Sequence, residues 1–228
     1  MPAELRFFLR RGQPAGTVTV SCDGTSTATH VVESAGVPRT EIGALMVGGR
    51  AVPPSYVPRG GDVIEVRAVP RPQRVDGERF LLDVHLGALA RRLRLLGIDT
   101  AYSTDADDDT LVEQANAEHR VLLSRDRGLL RRRALWCGAY VRGDQPDDQL
   151  ADVLDRFAPE LSPWTRCLAC NGPLVPATRQ QVDQQLKPGT RRTYREFARC
   201  AGCGRAYWRG AHAGHLEAIV SAARAGRG

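Results

Sequence analysis

The apolar positions of this chain change period along its length. Over residues 1–72 they alternate with polar positions, and turns come often. ELRFFLR and TVTVSCDG each read as a strand of period two. TATHVVESAGVPRTEIG reads as a short helix ending near Gly36, followed by a proline-containing loop. ALMVGGRAV carries a Gly-Gly turn between apolar flanks, and GGDVIEVRAV is a closing strand. The predicted order is β-β-α-β-β. PRPQRVDG then reads as a linker.

From Arg79 to Phe157 the rhythm differs. RFLLDV is a short apolar strand. In LGALARRLRLLG, Leu86, Leu89, Ala90, Leu93 and Leu96 share one helical face, and Gly97 is the stop. Strand IDTAYS, helix DDTLVEQANAEH, strand RVLLS, helix RGLLRRRALW, strand GAYVRG and helix PDDQLADVLDRF follow. Strict alternation with short connections predicts a parallel sheet covered on both faces. Thr110 and Glu113 form a capping-box pattern, which starts the second helix near Asp108 to Thr110. The last stretch is bounded by cysteines and poor in long apolar runs, and GHLEAIVSAARAGRG predicts a short helix with a frayed end. The organisation is therefore α/β in three parts. Residues 1–72 have the strand order of a β-grasp, ubiquitin-like domain, 78–160 form the parallel-sheet domain, and 161–228 form a cysteine-bounded module with a C-terminal helix.

The chain carries 32 Lys+Arg against 26 Asp+Glu, a formal charge of +6 that favours anionic partners. Lys187 is the sole lysine. Arginine suits phosphate, since its fork pairs bidentately and stacks on bases, although a GC-rich coding sequence produces the same bias. No apolar run reaches the roughly 18 residues of a membrane span. MPAELRFFLRRG lacks a signal peptide's apolar stretch, so the expected location is the cytoplasm. Cys22 and Cys137 stand alone and read as small buried or half-buried side chains.

In an open parallel sheet, ligands sit outside the carboxyl ends of the strands. Each strand of the middle domain ends in or leads into an acid: Asp83 after the first, Asp107, Asp108 and Asp109 after the second, Asp126 after the third, Asp144 after the fourth. Carboxylates gathered on one edge repel one another, and a hard divalent cation relieves this. Mg²⁺ or Mn²⁺ binds one or two carboxylates plus substrate phosphate and makes a bound water more acidic. That is the chemistry of a metal-dependent nuclease. Asp109 reads first as a helix cap, and Asp99, at a strand start, as structural.

Cys167 and Cys170, a gap of 29 residues, then Cys200 and Cys203 give C-x2-C twice. In a reducing compartment this spacing reads as a Cys₄ zinc ribbon. Four thiolates saturate Zn²⁺, so the site is structural. Around it lie Arg166, Arg191, Arg192, Arg195, Arg199, Arg205 and Arg209, with Tyr194, Tyr207 and Trp208 interleaved. Guanidinium groups pair phosphates and aromatic rings stack on unpaired bases; the same rings can equally pack under the ribbon.

FLLDVHLGALARRLRLLGIDTAY, VLLSRDRGLLRRR, RCLACNGPLVP and FARCAGCGRAYWRGAH resemble, in order, the motifs of the Mut-seven carboxy-terminal RNase family, a branch of the PIN-like nucleases. The likeness runs from about Phe80 to His212. The N-terminal segment is similar to the ubiquitin-like domain often fused before that module, related to sulfur carriers that end in a free Gly-Gly; here the chain runs on through AVPRPQRV. The resemblance implies a PIN-like fold and metal-dependent RNA cleavage. Asp83 corresponds to the first-strand acid, Asp108 to the acid opening the second helix and Asp126 to the acid of the TRD-like motif, where Ser124 stands for the usual threonine. The family's SHW-like tail reads AHAGH.

The resulting expectation is a ribonuclease holding Mg²⁺ or Mn²⁺ on Asp83, Asp108 and Asp126, with Asp144 as a fourth catalytic acid. Zn²⁺ sits on the four cysteines, and RNA contacts come from Arg125, Arg131, Arg132, Arg133, Arg205, Trp208, Arg209 and His212. A ribbon beside a nuclease can grip a stem or a 3′ end, which makes a structured RNA such as tRNA a candidate substrate. The alternative is a non-catalytic RNA- or ribosome-binding protein, or an adaptor with a protein partner on its N-terminal domain. His85 could face either way.

Overall fold

The computed structural model describes residues 1–9, 16–210 and 213–226. The N-terminal part comprises helices α1 (Ala3–Arg6) and α2 (Ala28–Ser34), then strands β1 (Ile42–Val47), β2 (Arg50–Val52) and β3 (Ile64–Ala68). The strands form an antiparallel sheet in the order β2-β1-β3. Gly48 and Gly49, both at positive φ, make the predicted turn between β1 and β2. Thr27 caps α2 by accepting the N–H of His30. Gly36 follows at φ +121°, where a Cβ would lie 2.3 Å from the Phe8 carbonyl oxygen, so only glycine fits.

Among the described residues, two predicted strands do not form. The described part of ELRFFLR is a helical turn, because Leu5 and Phe8, three residues apart, are the pair that is buried. In TVTVSCDG, Val18 and Val20 are half-buried and alternate with exposed neighbours, yet the segment has no sheet partner among the described residues. Cys22, expected to be at least half-buried, is exposed; Cys137 is half-buried against the core, and that burial raises its thiol pKa.

The middle part follows the predicted alternation: β4 (Arg79–Leu82), α3 (Gly87–Leu95), β5 (Asp99–Tyr102), α4 (Asp108–Ala117), β6 (Val121–Ser124), β7 (Gly138–Tyr140) and α5 (Pro146–Phe157). The sheet is parallel throughout, in the order β5-β4-β6-β7. RGLLRRRALW is a correction: it holds one 3₁₀ turn, Leu129–Arg131, not a helix. Leu129 and Leu130 are consecutive and both buried, so this connection packs as a turn.

Period two divides the apolar run of each strand between two cores. Phe80 and Leu82 of β4, with Val121 and Leu123 of β6, face α3 and α5. Leu81 and Leu122 face the other way, onto Leu111, Val112 and Ala115 of α4. That second core continues without a break into Leu5, Phe8, Val32, Leu45 and Val66 of the N-terminal part. The ubiquitin-like region thus covers the sheet face beside β7 that the missing helix leaves bare. Arg156 of α5 and Glu41, each 3 % exposed, form a 2.7 Å ion pair across this junction, and Glu41 also accepts the Tyr140 N–H.

The C-terminal part adds β8 (Leu174–Ala177), α6 (Arg179–Val182), α7 (Pro188–Thr193), β9 (Phe197–Cys200), β10 (Ala206–Tyr207) and α8 (Ala213–Ala225). Its antiparallel sheet, β10-β9-β8, covers a small core of Val182, Leu186, Phe197 and Ala206. Ile219, Val220 and Ala223 return α8 to the layer of α3 and α5. Among the described residues no helix is long and apolar enough to cross a membrane.

Candidate functional site

The carboxyl edge of the parallel sheet is organised around Ser124. Its fully buried hydroxyl donates to Asp83 Oδ2 at 2.6 Å and accepts the backbone N–H of Asp126 at 2.8 Å. β4 and β6 are adjacent, so one side chain links the Asp83 carboxylate to the backbone N–H of Asp126. Asp83 is itself buried at 7 % exposure, while Asp126 is exposed. Asp126 Oδ1 accepts the N–H groups of Gly128 at 2.6 Å and Leu129 at 3.3 Å, which fixes the carboxylate at the head of the 3₁₀ turn. Tyr102, at the end of β5, donates to the Val84 carbonyl at 2.8 Å. A Cβ on Gly87 would meet that phenol oxygen at 2.6 Å, so a glycine must start α3. His85, in the turn after Asp83, is exposed.

Asp107, not Asp108, Asp109 or Thr110, caps α4 by accepting the Thr110 N–H at 2.8 Å. That backbone hydrogen bond lowers the Asp107 pKa. Asp108 and Asp109 open the helix and pair with Arg132, at 3.9 and 2.8 Å. Asp144 is 88 % exposed and pairs with Arg125 at 2.8 Å. Among the described residues, Asp83, Asp108 and Asp126 do not form one three-carboxylate group close enough to hold an ion. Mg²⁺ or Mn²⁺ asks for only one or two carboxylates, water and phosphate, and Asp83 with Asp126 offers two on neighbouring strand ends.

The arginines divide. Arg125 and Arg132 lean on exposed acids, in pairs that solvent weakens. Arg133 is exposed. Arg131 is spent elsewhere: it is half-buried and donates to the Gly36 carbonyl at 2.7 Å, joining the two cores. Arg127 donates to the carbonyls of Phe7 and Phe8 and lies 5.2 Å from both ring centroids. Its neighbourhood and the Ser124 bridge are not visible in local sequence; the register of β6 against β4 creates the bridge.

The four cysteine sulfurs lie within 4.8 Å of one another, and no other group of three or more His, Cys, Asp or Glu among the described residues converges so. Cys167 and Cys203 are 3.7 Å apart, Cys170 and Cys200 3.4 Å. Tetrahedral Zn–S bonds require sulfurs about 3.8 Å apart, so the donor set fits a closed structural zinc. A Cβ on Gly172 would sit 3.0 Å from Cys200 Sγ, a tight contact that would press on the cysteine cluster. The Leu168 N–H donates to the Tyr207 hydroxyl, which directs its own proton at Cys167 Sγ, 3.0 Å away. Burial opposes ionisation of Cys167, but this hydrogen bond and nearby backbone N–H groups outweigh it and bring the thiol down to about 6. At Cys170 the Gly172 N–H favours the thiolate, yet burial and the neighbouring thiols push it up to about 12. Such mutual opposition is what a cation relieves.

The knuckle is attached at the opposite edge of the sheet from Asp83. Buried Arg94 of α3 donates to the carbonyls of Thr100, Leu168 and Ala169. Asp99 accepts from Arg120 at 2.6 Å and Asn171 at 2.8 Å and pairs with Arg166 at 3.2 Å, so it is structural. Trp208 packs partly on the small C-terminal core. Arg205 and Arg209 are exposed, and His212 lies outside the described residues.

The model of the Mut7-C RNAse domain matches residues 78–220, and that of Mut7-C ubiquitin matches residues 1–74. No curated protein and no solved structure matches the chain.

Proposed function

This chain belongs to the Mut7-C RNAse domain family, and on that premise we propose that it hydrolyses phosphodiester bonds of RNA at the edge formed by Asp83 and Asp126. The Asp126–Ser124–Asp83 chain of hydrogen bonds carries the reading. Such a bond fixes a carboxylate's rotation, as outer partners of metal ligands do. Asp83 and Asp126 hold Mg²⁺ or Mn²⁺, with Asp108 at the mouth of α4 and Asp144 further out. The metal supplies an acidified water and charge for the phosphate. Arg125 and Arg132 exchange their exposed acid partners for phosphate oxygens, since such pairs hold each other weakly. The four cysteines hold a structural Zn²⁺ that keeps the C-terminal sheet and its exposed arginines in place. A structured RNA such as tRNA is the substrate class this arrangement suits, and the ubiquitin-like region leaves β2 and β3 at its sheet edges for a protein partner.

The test is cleavage of RNA by purified protein with Mg²⁺ or Mn²⁺ against the same protein in chelator. Cleavage that follows the metal supports the reading; equal cleavage in chelator overturns it. One observation favours a second reading: the three acids do not form a ready-made ion group among the described residues. A non-catalytic RNA binder of this kind holds RNA without divalent metal and leaves it intact.

A further inference from the structure

A cavity of about 580 Å³ opens where α3, the first cysteine knuckle, β8 and α8 converge. Leu95, Trp164, Val175, Tyr207, Trp208 and Leu216 line it, with Arg195 and Arg209 at its rim. Its size is that of a small-ligand pocket.

Three features distinguish it from a packing fault. Trp164 sits at φ +67°, a conformation costly for a bulky residue, and is held there by its N–H on the Leu95 carbonyl at 3.0 Å. The structure around it, with Ser162 also bonded to Leu96, maintains the strain and keeps the indole in the wall. Val175 is 45 % exposed in the middle of β8, an apolar side chain left without cover. Arg195 and Arg209 are exposed and form no ion pair among the described residues, whereas Arg166, also in the lining, is committed to Asp99. The Arg209 guanidinium lies 5.5 Å from the centre of the Trp164 ring. Glu196 is the one carboxylate in the lining.

We propose that this cavity takes an unpaired nucleotide of the RNA strand, its base against Trp164 and Trp208 and its phosphate on Arg195 and Arg209. Aromatic walls accept any base face, and a cationic rim selects a polyanion over an apolar peptide. The proposal rests on the reading of the chain as an RNA-cleaving protein and adds where the strand is held. Leu95 ends α3, and Gly87, four residues after Asp83, begins it, so the length of this helix, about 12 Å, lies between Leu95 in the cavity wall and the turn that follows Asp83. The nucleotide held is therefore not the one cleaved, and the cavity sets the position of the cut relative to an unpaired end.

Two of the three tryptophans line the cavity, so binding is read by their fluorescence. The probe is a short single-stranded oligoribonucleotide, titrated in calcium to suppress cleavage. Saturable quenching is expected, weakened about tenfold or more by Arg195→Ala or Arg209→Ala, each of which removes a charge-assisted hydrogen bond, and abolished by Val175→Glu. Val175 is exposed, so that variant folds, and thermal melts confirm it. In cleavage assays the arginine variants lose kcat/KM through KM. Quenching that all three folded variants retain overturns the proposal, as does quenching by an apolar peptide but not by RNA. Metal-dependent cleavage with unchanged KM in the variants removes the cavity and leaves the nuclease. Variant-sensitive binding without cleavage in any metal removes the nuclease and leaves the cavity.

Discussion

Ser124 Oγ stands 2.6 Å from Asp83 Oδ2, with both residues buried, and the same oxygen accepts the Asp126 N–H. One hydroxyl thereby sets the rotation of one acid and the backbone of the other. Ser124→Ala should destabilise the fold by about 1–3 kcal/mol, since it leaves a buried acceptor and an N–H unpaired. It should also lower cleavage by about 10–100-fold, the usual effect of losing a partner behind a metal ligand. Denaturant melts and single-turnover cleavage check the two parts; unchanged cleavage at unchanged stability removes Ser124 from the site.

Asp83→Asn and Asp126→Asn keep an oxygen for the same hydrogen bonds but lose the ligand charge. Each should reduce cleavage by more than about 100-fold, above the loss from an outer partner, with a melting temperature near that of the parent. The measurement is cleavage of purified RNA at saturating Mn²⁺. Full activity in either variant rules out the assignment of that acid.

Purified protein should contain about one zinc per chain, and Cys200→Ser should lose it. Stripping the metal should lower the melting temperature, because the small core of Val182, Leu186, Phe197 and Ala206 cannot support the ribbon alone. Elemental analysis of protein prepared without chelator decides this; an absence of zinc contradicts the structural site.

The buried Glu41–Arg156 pair joins the ubiquitin-like part to α5. Glu41→Gln leaves the Arg156 charge uncompensated and should cost about 3–5 kcal/mol. Because the second core runs through both parts, the loss should appear as a shift of one cooperative transition. Two separated transitions in the parent protein would show that the parts fold independently.

Asp99 gives the fold a pH dependence of definite sign. Burial opposes its ionisation, but hydrogen bonds from Arg120 and Asn171 and the charges of Arg120 and Arg166 outweigh this and hold its pKa below the ordinary aspartate value of 3.8. A depressed carboxylate stabilises the fold above its unfolded value, and that contribution is lost as pH falls through the folded value. Asp99→Asn should therefore be less stable than the parent at neutral pH, with the difference shrinking as pH drops below 3.8. Melts of both proteins across the acid range test this, and a gap that stays constant with pH assigns the loss to something other than the charge.

Local periodicity was enough for β4, α3, β5, α4, β6, β7 and α5, because each element's burial repeats at its own period: Phe80 and Leu82 against Leu81, or Leu89, Ala90 and Leu93 on one side of α3. Cysteine spacing was likewise sufficient to anticipate four converging thiols. Other features depended on which surface a segment meets. Whether Leu5 and Phe8 form a strand or a helical turn is decided by the sheet face they cover, which lies more than seventy residues away in the chain. That same covering removes the need for a helix at Leu129–Arg131 and turns Arg131 inward to Gly36. Which aspartate caps α4 depends on one backbone hydrogen bond, and Asp107 forms it. The link that Ser124 makes between the Asp83 carboxylate and the Asp126 backbone requires the parallel register of β4 with β6. Residue type and spacing carry the chemistry and the period, because these act over a few bonds. Burial partners, register and the direction of each long side chain are settled only when distant segments compete for the same surface.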